Sequence, residues 1–142
     1  MELSPPPPIS GGDFFKLNFD GSVKNSVAAA GFIIRNEYGE PMIAGARSFG
    51  ETTINVAECL ALRDAFWIVR SKDFQKILVE GDSKLLIDVM QGTSGVPWRV
   101  MSIIEDIKNI ARSFDCISWT HVFHEVNFVV DAIMDVGFQH LG

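Results

Sequence analysis

In "FFKLNFD", residues 14–20, apolar Leu17 and Phe19 alternate with polar Lys16, Asn18 and Asp20. A period of two sends alternate side chains to one buried face, so this stretch predicts a strand. "AAAGFIIR" (28–35) and "PMIAGARSF" (41–49) predict two more, joined by "NEYGE" with Gly39 for a tight turn. Three successive strands with short connections predict an antiparallel meander.

The period then lengthens. In "INVAECLALRDAFWIVRS", Ala57, Ala61, Ala65 and Ile68 recur at helical spacing with Leu62 and Val69 alongside, which predicts a long helix over 54–70. "KILVEGD" (76–82) is a short apolar run of the kind buried on both faces of a parallel sheet. "SKLLIDVMQG" predicts a helix stopping near Gly92, and "PWRVMSIIEDIKNIARS" another that begins at Pro97. "DCISWTHV" predicts a strand and "VNFVVDAIMDVGF" a final helix. The order β-β-β-α-β-α-α-β-α predicts an α/β fold with a five-stranded mixed sheet, a three-strand antiparallel meander beside two parallel strands, and helices packed on it.

Composition bounds this picture. A chain of 142 residues, 47% hydrophobic, fits one domain over 13–142 with no room for a second. Residues 1–12, with four consecutive prolines before "ISGG", read as a Pro-rich disordered tail or linker, a spacer from a larger polypeptide. No apolar run reaches the ~20 residues that span a bilayer. The start of the chain lacks the basic and apolar regions of a secretory signal. Cys59 and Cys116 are isolated and lack zinc-type spacing, which suits a reducing compartment. These features set the expectation of an intracellular monomer, in nucleus or cytoplasm, away from membranes. The net charge of −6 argues against a broad basic face for phosphate backbones, although carboxylates that hold metal also count towards it.

Four acidic residues sit where packing alone would not put them. Asp20 ends the first predicted strand, and Glu58 falls on or beside the apolar stripe of the long helix. Asp82 follows a parallel-type strand, where ligands of open α/β sheets bind. Asp131 lies within apolar "FVVDAIM". Each has an ordinary reading. Asp20-Gly21 is a common hairpin turn. Asp82, or Ser83 beside it, would cap the next helix. Glu58 could have a basic partner, and Asp131 could face water. Taken together, four carboxylates converging near one sheet edge would repel strongly without a cation, which is the logic of a divalent metal site.

The set "FDGS", "AECLAL", "EGDS" and "HVFHEVNFVVDAI" resembles the type 1 ribonuclease H family, above all its plant, retroelement-derived domains associated with reverse transcriptases. The resemblance runs from about Phe14 to Phe138 and keeps the element order. It implies a ribonuclease H-like fold with helices on both sheet faces, and hydrolysis of the RNA strand of RNA/DNA hybrids. Asp20, Glu58, Asp82 and Asp131 fall on the family's metal-binding carboxylates, His121 on its mobile histidine, and Asn127 four positions before the last aspartate. Two Mg2+ ions, for which Mn2+ can substitute, are implied as cofactors, ~3.5–4 Å apart around the scissile phosphate. Asp20 would bridge them, and His121 would move protons or assist product release. Reading RNA requires contacts to 2′-OH groups, for which Asn18, Gly21, Ser22, Asn55 and Asn127 are candidates.

Some positions depart from the family pattern. His124 and Phe128 stand where many plant relatives carry basic residues, which removes phosphate-binding charge. Val130 and Ile133 replace small or leucine side chains, and "GTSGVPWRV" offers only Trp98 and Arg99 in place of a basic protrusion. The rival to a hybrid-specific nuclease is therefore a catalytically weak or inactive nucleic-acid-binding or protein-interaction module on the same fold.

Overall fold

The computed structural model describes residues 14–123. Five strands form one mixed sheet in the order β3-β2-β1-β4-β5. They are β1 (Phe14–Lys24), β2 (Val27–Arg35), β3 (Pro41–Gly50), β4 (Lys76–Gly81) and β5 (Cys116–His121). β1 pairs antiparallel with β2, and β2 with β3. β4 pairs parallel with both β1 and β5. The predicted meander and the two parallel strands are all present. The helix expected over 126–138 and the tail over 1–12 lie outside the described residues.

β1 does not end at Asp20. It continues to Lys24, pairing Gly21 with Ala30, Ser22 with Ala29 and Val23 with Ala28. The hairpin turn falls instead on Asn25 and Ser26, with φ of 51° and 67°. Positive φ at both central residues matches the twist of a tight hairpin, and asparagine tolerates it well. What ends near Asp20 is the partnership with β4, whose last pair is Phe19 with Gly81. Asp20 therefore lies where β1 outruns its parallel neighbour.

Three helices follow the expected order: α1 (Ile54–Ser71), α2 (Lys84–Gln91) and α3 (Met101–Ala111). The Thr53 hydroxyl caps α1 by accepting from the Val56 N–H at 3.2 Å. Ser83 caps α2, and Gly92 ends it in the left-handed conformation with φ of 81°. Pro97 precedes a short 3-10 turn, Trp98–Val100, so the α-helix starts at Met101, later than its proline suggested. Ile77, Val79 and Gly81 of β4 are buried, while Lys76, Leu78 and Glu80 on the other face are half-buried. The Glu80 carboxylate is held by polar neighbours on β1. That explains the departure from the expected two-sided burial.

Phe15, Leu17 and Phe19 of β1 and Ile77 and Val79 of β4 meet Leu62, Phe66 and Val69 of α1 in one core. Ile87 of α2 and Ile104 and Ile107 of α3 complete it. A smaller cluster joins Ala28 and Ala30 of β2 to Ala57 and Ala61 of α1. Small side chains on both surfaces let the first turns of α1 settle close to the sheet. Gly81 serves a similar close approach, since a Cβ there would lie 2.6 Å from the fully buried Phe19 ring. Gly81→Ala should therefore destabilise the protein by roughly 1–3 kcal/mol through overpacking. Chemical denaturation checks this, and an unchanged midpoint would mean that the Phe19 ring can move aside.

Candidate metal centre

Three elements deliver one carboxylate each to the end of the sheet. Asp20 comes from β1 just past its last pair with β4. Glu58 comes from the second turn of α1. Asp82 follows the last residue of β4. The side chains of Asp20, Glu58 and Asp82 each place an oxygen within 4.8 Å of the others. Asp20 and Glu58 are only 3% and 4% exposed, and Asp82 is half-buried. Two acidic groups so buried cannot be read as a solvated face.

The backbone organises them. The Gly21 N–H donates to Asp20 Oδ1 at 2.8 Å and points to Glu58 Oε2 at 3.2 Å. A Cβ on Gly21 would lie 2.6 Å from Glu58 Cγ, so only glycine lets Glu58 approach the strand this closely. The Ser83 hydroxyl accepts from the Leu86 N–H, which leaves the role of helix cap to Ser83 and not to Asp82. Ser83 also hydrogen-bonds Glu58, as does Asp20. Gly21 and Ser83 thus act as organisers of the carboxylates. The sequence held "FDGS" and "EGDS" in view, but nothing in it revealed that both motifs close on Glu58.

Burial, and after it the Asp82 charge, push the Glu58 carboxyl up to about 7, against the pull of the Gly21, Asp20 and Ser83 hydrogen bonds. The donor set is all carboxylate oxygen, the set preferred by hard divalent cations such as magnesium. A cation would offset the burial and the Asp82 charge that favour a protonated Glu58. The residues present therefore fit a divalent metal.

Of the other predicted site residues, His121 lies at the exposed end of β5, in register with Gly81. Its Nε2 is 3.2 Å from the Asp82 carbonyl oxygen. Ser22 is half-buried, two residues beyond Asp20. Asn55 is exposed on the first turn of α1 and lines a small crevice with Leu85, Leu86 and Pro97. Asn18 is 2% exposed and held between Glu80 and Arg35. Asp131 and Asn127, with the departures at His124, Phe128, Val130 and Ile133, lie outside the described residues. A groove of about 390 Å³ between β3 and α1, bordered by Arg47, Asp64 and Trp67, contains none of Asp20, Glu58 and Asp82. No described helix is long and apolar enough to cross a membrane.

The Glu58 shift predicts a pH dependence. Its pKa is higher in the folded protein than the ordinary 4.5 of the unfolded chain. Its contribution to stability is therefore fully present below pH 4.5 and lost as pH rises through about 7. The loss should be roughly 3 kcal/mol in metal-free buffer. Glu58→Gln should flatten that dependence and melt higher than the parent at pH 8. Denaturation curves across pH 4–8 in chelator test this. A parent and variant with parallel pH profiles would show that Glu58 does not carry the titration.

The fold is shared with solved ribonuclease H structures. The structure is similar to RNase H1 from the halophilic archaeon Halobacterium salinarum NRC-1, with 25% identity and a TM-score of 0.82 over 89% of this chain and 98% of that one. It is also similar to the N-terminal RNase H domain of a Mycobacterium tuberculosis protein, with 19% identity and a TM-score of 0.84 over 90% and 95% of the two chains. A third relative in fold is LC11-RNase H1, isolated from compost and solved in complex with an RNA/DNA hybrid, with 24% identity and a TM-score of 0.80 over 88% and 96%. No curated protein matches the sequence. The family model described as reverse transcriptase-like matches residues 18–135, a span that holds all four acidic positions. The chain belongs to this reverse transcriptase-like, ribonuclease H-like family.

Proposed function

We propose that this protein is a metal-dependent endoribonuclease that hydrolyses the RNA strand of RNA/DNA hybrids by a two-metal mechanism. The observation that carries the reading is the buried meeting of Asp20, Glu58 and Asp82 at the end of the sheet. These three residues, with Asp131 as the fourth implied by family membership, would hold magnesium or manganese. The bound ions would supply charge to the scissile phosphate and lower the pKa of the attacking water.

The chain's own groups do the rest. Asp20, whose Oδ1 accepts from the Gly21 N–H, would serve as a ligand that Glu58 and Asp82 complete. The Gly21 N–H holds the Asp20 and Glu58 oxygens towards one another. His121, exposed and anchored near the Asp82 carbonyl, is placed to exchange protons with water at the edge of the site. Ser22, next along β1 from Gly21, is the described polar residue best placed to meet the sugar-phosphate chain, with Asn55 further out on α1 and Asn127 on the segment that carries Asp131. The substrate is a polymer, so the site need only be an open edge where a duplex can lie.

Labelled RNA/DNA hybrid, single-stranded RNA and duplex DNA should be incubated with the protein in magnesium or manganese. The hybrid alone should be cut, and chelator should stop the reaction. Metal charge stabilisation is worth several kcal/mol, so Asp20→Asn should slow cleavage by at least about a hundredfold. The variant should remain folded and melt higher than the parent in metal-free buffer, because one repelling charge is gone. Equal cleavage by Asp20→Asn would refute the metal assignment. A folded parent that cuts nothing under either metal would instead favour a non-catalytic binding module.

A further inference from the structure

One step back from the carboxylates along β1 and β4 lies a polar cluster with no part in the chemistry proposed above. The Asn18 Nδ2 donates to Glu80 Oε1 at 3.0 Å. The Asn18 Oδ1 accepts from the Arg35 guanidinium at 3.3 Å. The second Glu80 oxygen lies 3.5 Å from Lys16 Nζ. One buried amide thus joins β2, β1 and β4 through side chains. Asparagine suits the position because a single short side chain both donates and accepts. Aspartate would lose the donor, and leucine would lose both groups.

The register gives this cluster its meaning. Asn18 and Glu80 are direct partners in the parallel ladder. The next pair, Phe19 with Gly81, is the last. Asp20 and Asp82 follow as the first residues on each chain without a ladder partner across that gap. Side chains on one strand repeat with a period of two, so Asn18 lies beneath Asp20 on β1. Glu80 lies two residues before Asp82, which follows the end of β4. Asn18–Glu80 is therefore the last side-chain tie between the two strands before they present their carboxylates, whose like charges push the ends apart.

We infer that the Asn18–Glu80 hydrogen bond fixes the spacing between Asp20 and Asp82 and so sets the divalent-metal affinity of the centre, which makes both of them positioning residues. The inference rests on the metal-centre reading above. It also gives Asn18 an inward role in place of the substrate contact expected from the sequence, because its donor and its acceptor are both engaged within the sheet.

Mn2+ titration calorimetry and thermal melts of the full chain test it, using the parent, Asp20→Asn, Asn18→Leu, Glu80→Met and Glu80→Gln. Asn18→Leu and Glu80→Met should each raise the Mn2+ dissociation constant about tenfold or more, the usual cost of losing a group that orients a ligand. Glu80→Gln keeps an oxygen for the Asn18 amide and should bind close to the parent. The double variant Asn18→Leu/Glu80→Met should lose little beyond the weaker single variant, since both remove one bond. Variants that melt lower but bind Mn2+ like the parent would overturn the inference and leave the cluster a purely structural tie. If Asn18→Leu fails to fold, Glu80→Met decides. A parent that binds Mn2+ no better than Asp20→Asn would overturn the metal-centre reading, and this inference with it. A parent that binds well beside equally competent variants would overturn this inference alone.

Discussion

Mutual repulsion among three carboxylates is the constraint around which this end of the sheet is arranged. Two unit charges 4 Å apart repel by about 1 kcal/mol in water and about 4 kcal/mol at the effective dielectric near a protein surface. Asp20 and Glu58 meet that cost almost completely out of solvent. Burial first, and then the Asp82 charge, push the Glu58 carboxyl up. A fold that merely needed stability would not keep such a group beside two others, because an apolar residue of similar size would pack there at lower cost.

The scaffold holds the charges together from three directions. The ladder between β1 and β4 aligns two of the strands up to the residue before each aspartate. The alanine cluster between β2 and α1 lets the helix approach closely enough to deliver Glu58. Gly21 contributes an N–H and, by lacking a Cβ, the space for that delivery. The phenylalanine and isoleucine core behind them fixes the sheet against all three helices. Rigid backing of this kind is what a pre-arranged ligand set requires, since the ligands cannot drift apart when no cation is bound.

The same arrangement explains why the centre sits at an edge and not in a deep cavity. Parallel strands of unequal reach leave a step where β1 passes β4. His121 ends β5 with its Nε2 3.2 Å from the Asp82 carbonyl oxygen. An extended duplex can approach such an edge, whereas the groove between β3 and α1 is lined by none of Asp20, Glu58 and Asp82.

The sequence by itself determined the order of the described elements, the meander and three acidic residues that the fold brings together, Asp20, Glu58 and Asp82, because those depend on short-range periodicity and on side chains that packing does not explain. Alternation from Lys16 to Asp20 marked β1, and the spacing of Ala57, Ala61 and Ala65 marked α1. It misjudged where β1 ends, because Asp-Gly is compatible with both a turn and a continuing strand, and only pairing with β2 selects the strand. It also misjudged β4, whose short apolar run hid the fact that Glu80 answers to Asn18 and Lys16 on a neighbouring strand. Tertiary structure alone decided that Ser83 and not Asp82 caps α2, that Gly21 touches Glu58 thirty-seven positions away, and that Asn18 faces inward. These are contacts between residues far apart along the chain, so they follow from strand register and helix docking, which no local pattern encodes.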